Sequence, residues 1–206
     1  MKTVLCYGDS ITWGRNPSDG TRFPFEQRWP GILEAKLGRD YRIVEEGLGG
    51  RTVATESWLL PNRDGRAMLL PILDSHAPLD WVIVFLGTND CIPSLKRGAG
   101  EIAGGCASLL WMIQKSAAGP KGAAPQMLLV SPPHFGKFSP FMDVFFRGAE
   151  ETCRELAAAY AAVAEACGAR FFNAATVVPP GPVDGVHPDA NGQRQLGEAI
   201  AKLLAA

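Results

Sequence analysis

Residues 81–90, WVIVFLGTND, place six apolar side chains in a row and then change to a glycine and three polar residues. A strand with apolar side chains on both faces must be covered on both faces, as central strands of parallel sheets are. In such sheets, ligands bind beyond the carboxyl ends of the strands. The stretch therefore predicts a buried parallel sheet with polar chemistry at one edge.

Shorter apolar stretches on either side predict the remaining strands. These lie at residues 3–7, 41–46, 127–130 and 170–172. Helical periodicity between them predicts helices at residues 25–37, 101–118, 143–167 and 191–204, and helical content with unclear ends within 57–73. The alternation predicts an α/β fold, a three-layer sandwich of about five parallel strands in the flavodoxin-like order 2-1-3-4-5.

The composition is typical of a globular domain and excludes several classes of protein. The 206 residues carry 20 basic and 21 acidic side chains, a net charge of −1. We therefore expect no nucleic-acid surface, and no apolar run approaches the ~18 residues of a membrane span. No linker divides the chain, so a single domain over residues 1–206 is expected. The five cysteines form no CxxC pair, so we expect neither disulfides nor a metal site. The first residues do not resemble a signal peptide, which predicts a cytoplasmic protein. No cofactor is expected.

The polar residues after the strands are of the types that acyl transfer uses. Ser10 follows the first strand, and a serine needs a base, usually histidine, to become a nucleophile. The chain has three histidines. His76 precedes the third strand, at the wrong edge, while His134 stands at the right edge without an acid nearby. His187 stands at the right edge with Asp184 three residues before it, and is favoured as the base.

A tetrahedral intermediate also needs donors for its negatively charged oxygen. The turn at Gly49-Gly50 lets the backbone approach a substrate, because glycine has no Cβ. Asn89 follows the third strand and offers a neutral side-chain amide, and the amide of Ser10 is a third candidate. A plain turn at Gly49-Gly50 and a capping role for Asn89 are the alternatives.

Four motifs then resemble blocks of the SGNH hydrolases, the GDSL-type lipases and esterases. They are GDSITWG at 8–14, EEGLGGRT at 45–52, GTND at 87–90 and DGVH at 184–187, in the family order. The resemblance implies a triad and an oxyanion hole. The triad is Ser10, His187 and Asp184; the oxyanion donors are Ser10, Gly50 and Asn89, with Gly49 as the alternative glycine. The α/β-hydrolase fold is disfavoured, because the chain lacks its G-x-S-x-G elbow.

The EEGLGGRT and VSPPHF contexts resemble a bacterial arylesterase subgroup. That resemblance implies short-chain or aryl ester substrates, acyl transfer to alcohols or peroxide, and a homo-oligomer. The substrate pocket is expected to include Asp9, Trp13, Thr88, His134, Phe135 and Val186. Residues 135–146, FGKFSPFMDVFF, hold five phenylalanines and a methionine, which are expected either to wall this pocket or to contact another subunit.

Two alternatives to a simple esterase remain. One keeps the triad but acts on an acetylated sugar, a lysophospholipid or a thioester. The other is a flavodoxin-like binding module without chemistry. The module is disfavoured, because no Walker A or G-x-G-x-x-G sequence follows any strand, and because it leaves Ser10, Asn89 and the Asp184–His187 pair unexplained.

Overall fold

The structure of the protein, a computed structural model, describes residues 1–57 and 59–205. Five strands form one parallel sheet in the order β2-β1-β3-β4-β5, which confirms the order expected from the sequence. The strands are β1 (Lys2–Gly8), β2 (Tyr41–Gly47), β3 (Trp81–Phe85), β4 (Gln126–Ser131) and β5 (Arg170–Asn173). All neighbours pair in parallel, so every strand points its carboxyl end to the same edge.

Seven helices cover the sheet within the described residues. They are α1 (Ser10–Trp13), α2 (Trp29–Leu37), α3 (Gly65–His76), α4 (Ala99–Lys115), α5 (Pro140–Phe146), α6 (Glu150–Ala166) and α7 (Ala190–Ala205). Helices α2 and α7 pack together on one face, whereas α3, α4 and α6 cover the other. No helix of residues 1–57 and 59–205 is long and apolar enough to cross a lipid bilayer.

Strand β3 shows why its sequence is apolar throughout. Trp81, Ile83 and Phe85 belong to the core beneath α2 and α7, whereas Val82 and Val84 belong to the core beneath α3, α4 and α6. Since successive side chains of a strand point to opposite faces, a strand covered on both sides must be apolar at every position.

Several helix boundaries differ from those expected, and α4 covers Ala99–Lys115 rather than 101–118. The stretch at 25–37 is a 3-10 turn followed by α2, because Arg28 is extended and lets Pro30 occupy the first helical turn. Helix α3 starts only at Gly65, where the Asp64 carboxylate accepts hydrogen bonds from the amides of Arg66 and Ala67. The expected helical content at 57–64 is absent from the described residues of that stretch, and Trp58 lies outside them.

The single helix expected over residues 143–167 is wrong, because two helices occupy the region. Helix α5 starts three residues earlier, at Pro140, after Ser139, whose hydroxyl accepts a hydrogen bond from the Met142 amide at 3.3 Å. Gly148 between the helices has φ of 90°, a left-handed conformation that a continuous helix cannot contain. Gly168 ends α6 in the left-handed conformation with φ of 65°, as expected of a C-terminal cap.

Candidate active site

The sheet brings the polar residues that follow its strands together at one edge. Ser10 begins α1 directly after β1, the Gly47–Gly50 turn follows β2, and Asn89 lies in a 3-10 turn after β3. Asp184 and His187 lie in the long connection between β5 and α7. A cavity of about 500 Å³ opens at this edge, with Ser10, Asn89 and His187 in its wall.

Ser10 is positioned by a tight passage from strand to helix. The Asp9 side chain accepts a hydrogen bond from the Ile11 amide at 2.8 Å and so caps α1. Helix α1 lies so close to the end of β1 that a Cβ on Gly8 would collide with the Thr12 side chain. Glycine at position 8 therefore allows the serine to stand at the edge of the sheet.

Ser10, His187 and Asp184 form a continuous hydrogen-bonded chain. The Ser10 Oγ lies 2.9 Å from Nε2 of His187, and Nδ1 of the same ring lies 2.6 Å from Oδ2 of Asp184. The other Asp184 oxygen, Oδ1, accepts hydrogen bonds from the amides of Val186 (2.9 Å) and His187 (2.8 Å). All three side chains are buried. The arrangement can remove the proton of a serine hydroxyl.

The Asp184 carboxylate remains ionised in this environment. Burial opposes its charge, but the hydrogen bond from the His187 ring, the charge of that ring and the two amides outweigh burial. The pKa of Asp184 therefore lies below its ordinary value. An ionised carboxylate on Nδ1 holds the ring in the tautomer whose Nε2 can accept a proton.

The other two histidines lie apart from this chain. His76 ends α3, and its Nε2 lies 2.8 Å from Oε1 of Glu46. His134 is half-buried and is not among the residues that line the cavity. Of the three histidines, the structure brings only His187 to Ser10.

The groups expected to bind the oxyanion stand beside Ser10. Gly49, Gly50 and Asn89 all line the cavity. Gly50 has φ of 79°, which favours glycine, whereas Gly49 lies outside the left-handed region. Among the described residues, the amides of Ser10 and Gly50 have no hydrogen-bond acceptor. The Asn89 Nδ2 donates to the Arg51 carbonyl at 3.0 Å.

Two buried acids flank these groups. Burial raises the pKa of Asp9 to about 6, although the hydrogen bond from Ile11 and the neighbouring Thr88 hydroxyl lower it. Burial likewise raises the pKa of Asp90 to about 7, against the hydrogen bond from the Val53 amide. Neither carboxyl, nor Thr88, lines the cavity.

The expected pocket residues divide into two groups. Trp13 and Val186 line the cavity, whereas Asp9, Thr88, His134 and Phe135 do not. Phe135 packs instead against Phe138 and Phe146, with ring centroids 5.3 and 5.2 Å away. The chain beside it supports the histidine loop, because the amides of Gly136 and Ser139 donate to the carbonyls of Gly185 and Asp184.

The cavity wall also includes residues that were not named individually as pocket residues from the sequence. From the phenylalanine-rich segment, Phe141, Met142 and Phe146 line the cavity. The other walls include Arg15 after α1, Leu48 in the glycine turn, and Leu60 and Arg63 in the connection before α3. Their position in the cavity depends on how the loops fold, which no periodic pattern records.

The comparisons with known proteins agree with this geometry. The model of the GDSL-like lipase/acylhydrolase family matches residues 6–195. Comparison with curated protein sequences finds no match. The solved structure of the M. smegmatis aryl esterase is 38% identical, covers 100% of this chain and 99% of its own, and superposes with a TM-score of 0.95.

Two further structures extend the comparison. Est24, a carbohydrate acetylesterase from Sinorhizobium meliloti, is 37% identical over 100% of this chain and 99% of its own, with a TM-score of 0.95. A lipolytic G-D-S-L family protein from Veillonella parvula shares the fold, with a TM-score of 0.69. It is 17% identical and covers 100% of this chain and 99% of its own. Because the family model spans most of the sequence, this chain belongs to the GDSL-like lipase/acylhydrolase family and is a carboxylic ester hydrolase.

Proposed function

We propose that the protein hydrolyses short-chain or aryl carboxylic esters through an acyl-enzyme on Ser10. The observation that carries the proposal is the hydrogen-bonded chain from Ser10 Oγ to His187 (2.9 Å) and from His187 to Asp184 (2.6 Å). The substrate class is supported by a cavity of about 500 Å³ with mostly apolar walls. It is also supported by the 38% identity to the M. smegmatis aryl esterase.

In this mechanism the Ser10 Oγ attacks the ester carbonyl while Nε2 of His187 takes the hydroxyl proton. Asp184 holds the ring and stabilises the charge that it gains. The amides of Ser10 and Gly50 and the Asn89 side chain donate to the oxyanion. The C–O bond to the alcohol then breaks, and His187 returns its proton to the leaving alcohol. Water repeats the sequence on the acyl-enzyme and releases the acid.

The experiment that tests this proposal combines a probe and a variant. A fluorophosphonate should label Ser10 in the native protein, and Ser10→Ala should lower kcat on 4-nitrophenyl acetate by about 10⁴-fold or more while the fold is retained. Labelling of a different serine, together with full activity of the variant, would disprove the assignment.

The same site can also transfer acyl groups to acceptors other than water. We propose that alcohols and peroxide compete with water for the acyl-enzyme, because apolar walls that include Phe141 and Phe146 limit water at the site. Adding an alcohol during ester cleavage should yield the ester of that alcohol. Hydrolysis alone at high alcohol concentration would count against transfer.

A second candidate substrate class is the acetylated carbohydrate. The 37% identity to Est24, a carbohydrate acetylesterase, favours it. A panel of 4-nitrophenyl esters of increasing chain length, acetylated sugars, a lysophospholipid and a thioester would rank these classes by kcat/KM.

A further inference from the structure

Two arginines stand in the wall of the cavity that holds Ser10. Arg15 and Arg63 line it, and no aspartate or glutamate does so among the described residues. The remaining walls are mostly apolar and include Trp13, Leu48 and Phe141. A mostly apolar cavity with two arginines in its wall differs from one suited only to a neutral ester.

Arg15 is held close to the nucleophile by its backbone. Its amide donates to the carbonyl of Ser10 at 3.0 Å, and it pairs with Arg22 in an antiparallel bridge. The guanidinium lies against Gly20, where a Cβ would stand 2.9 Å from Nη2. Within residues 1–57 and 59–205, the Arg15 guanidinium has no hydrogen-bond acceptor and no ion pair. Its charge is therefore available to a ligand.

Arg63 places a second charge beside the glycine turn. Its Nε donates to the Gly49 carbonyl at 2.8 Å, and Nη1 donates to the Pro61 carbonyl at 2.7 Å. The same Nε lies 3.7 Å from the position that a Cβ on Gly50 would occupy. These acceptors are neutral carbonyls, so the positive charge of Arg63 is not neutralised by an ion pair within the described residues.

No carboxylate of the described residues forms an ion pair with Arg15, Arg51 or Arg63, although Glu56 accepts a hydrogen bond from the Arg63 amide at 3.5 Å. Arg51, next to Gly50, is 3% exposed and bonds to the carbonyls of Gly8 and Glu46 rather than to a carboxylate. The two nearby buried acids, Asp9 and Asp90, have pKa values raised to about 6 and about 7 by burial. Near neutral pH Asp90 is therefore only about half ionised, whereas Asp9 is mostly ionised and its charge acts on Arg51.

We propose that the substrate of this site is an ester that carries a second, negatively charged group, a carboxylate, bound by Arg15 and Arg63. The apolar walls bind its hydrocarbon or aryl part. Guanidinium groups bind carboxylates through paired N–H donors, and the mostly apolar cavity strengthens that attraction. The inference rests on the proposed esterase function and names the substrate class for the same site.

The test compares matched anionic and neutral esters. One pair is 4-acetoxybenzoate and its methyl ester, with the charge on the leaving group. The other is 4-nitrophenyl hydrogen adipate and 4-nitrophenyl methyl adipate, with the charge on the acyl group. For each pair the measured quantity is the ratio of kcat/KM, anionic over neutral. Comparing this ratio between variants cancels the different intrinsic reactivity of the two esters.

In Arg15→Gln the anionic-over-neutral ratio should fall by about tenfold in at least one pair of esters. In the native protein, raised salt should reduce the same ratio. Arg63→Gln should act in the same direction. Arg63→Lys keeps the charge and should therefore retain a higher ratio than Arg63→Gln. This comparison separates the loss of the charge from a loss of loop structure. Arg39→Gln removes the same charge outside this cavity and should leave the ratio unchanged.

Two outcomes would overturn the inference. If the native protein cleaves the neutral esters but the ratio stays within twofold in Arg15→Gln and Arg63→Gln, the esterase function stands and the anionic substrate does not. If none of the four esters is cleaved, the proposed function fails and this inference fails with it.

Discussion

At the scale of single residues, Arg51 connects the groups around Ser10. Its Nη1 donates to the carbonyl of Gly8 at 2.9 Å and to that of Glu46, at the ends of the first two strands. Its guanidinium lies 4.3 Å from the centre of the Tyr7 ring, and its own carbonyl accepts from Asn89. One residue thus fixes the strand end before Ser10, the glycine turn and the Asn89 amide.

Because the Arg51 carbonyl uses one hydrogen of the Asn89 amide group, the second remains for a substrate oxygen. Asn89→Ala should lower kcat by roughly 10²–10³-fold with little change in KM, since the bond strengthens in the transition state. Steady-state kinetics on 4-nitrophenyl acetate would measure both constants. The control is Asn191→Ala, on the surface of α7, which should leave both constants unchanged. An effect of Asn89→Ala on KM alone would assign it to ground-state binding.

Asp9 should reduce stability as pH rises. Burial raises its pKa from 3.8 to about 6, so the folded protein holds the proton more tightly than the unfolded chain. Stability is therefore lost as pH rises from about 4 to about 6, by about 3 kcal/mol in total. Asp9→Asn keeps an oxygen for the Ile11 amide and removes the titration.

The expected result for Asp9→Asn is equal stability to the native protein near pH 4 and greater stability above pH 6, by up to about 3 kcal/mol. Urea unfolding at both pH values would measure it. Asp19→Asn is the control, because Asp19 is exposed and its pKa is lowered by hydrogen bonds from Thr21, so no gain is expected. Equal stability of Asp9→Asn and the native protein at pH 8 would contradict the argument.

At the scale of elements, strands were easier to predict than helices. Four observed strands extend the expected ranges by one residue at one or both ends, and β3 ends at Phe85, one residue before the end of its apolar run. The prediction of one helix over 143–167 was wrong because alanine-rich sequence favours helix after Gly148, whereas residues 143–147 before it contain no alanine. A glycine within a helix costs only ~1 kcal/mol, so its presence alone does not predict a break.

Substitution of Gly148 should lower the stability of the protein because of the backbone conformation of this residue alone. Its φ is 90°, but a Cβ there would stand 4.0 Å from the nearest atom, on Pro93. Gly148→Ala should therefore destabilise by ~1–2 kcal/mol through strain without steric overlap. The matched control is Gly104→Ala, in the middle of α4 with open space around it, which should stabilise by ~0.5–1 kcal/mol. Thermal unfolding would measure both, and equal effects would contradict the argument.

At the scale of the whole molecule, the sequence indicates which residues follow the strands but not how the loops fold over them. Ser10, Asn89 and His187 could be assigned to one edge because parallel strands end together. Arg63 and Leu60 reach the cavity from a connection without periodicity. Phe135 was wrongly expected to line the pocket, because its segment turns away and supports the loop that carries His187. Side-chain placement in such loops is decided by tertiary packing.

The final prediction concerns assembly, which we propose to be a homo-oligomer of at least two subunits. On α5, Phe141 is 64% exposed and Val144 75% exposed, and the Phe141 ring packs edge-on to Phe145 at 5.3 Å. Phe141 also lines the cavity, so a subunit that covers this apolar surface would cover the mouth of the site. Light scattering at micromolar concentration should give a mass well above 22.1 kDa. Val144→Glu should lower that mass towards the monomer, because it buries a charge in the contact, whereas Ala162→Glu, exposed on α6, should not. A monomer at every concentration of a dilution series would mean that α5 covers the cavity within its own chain only.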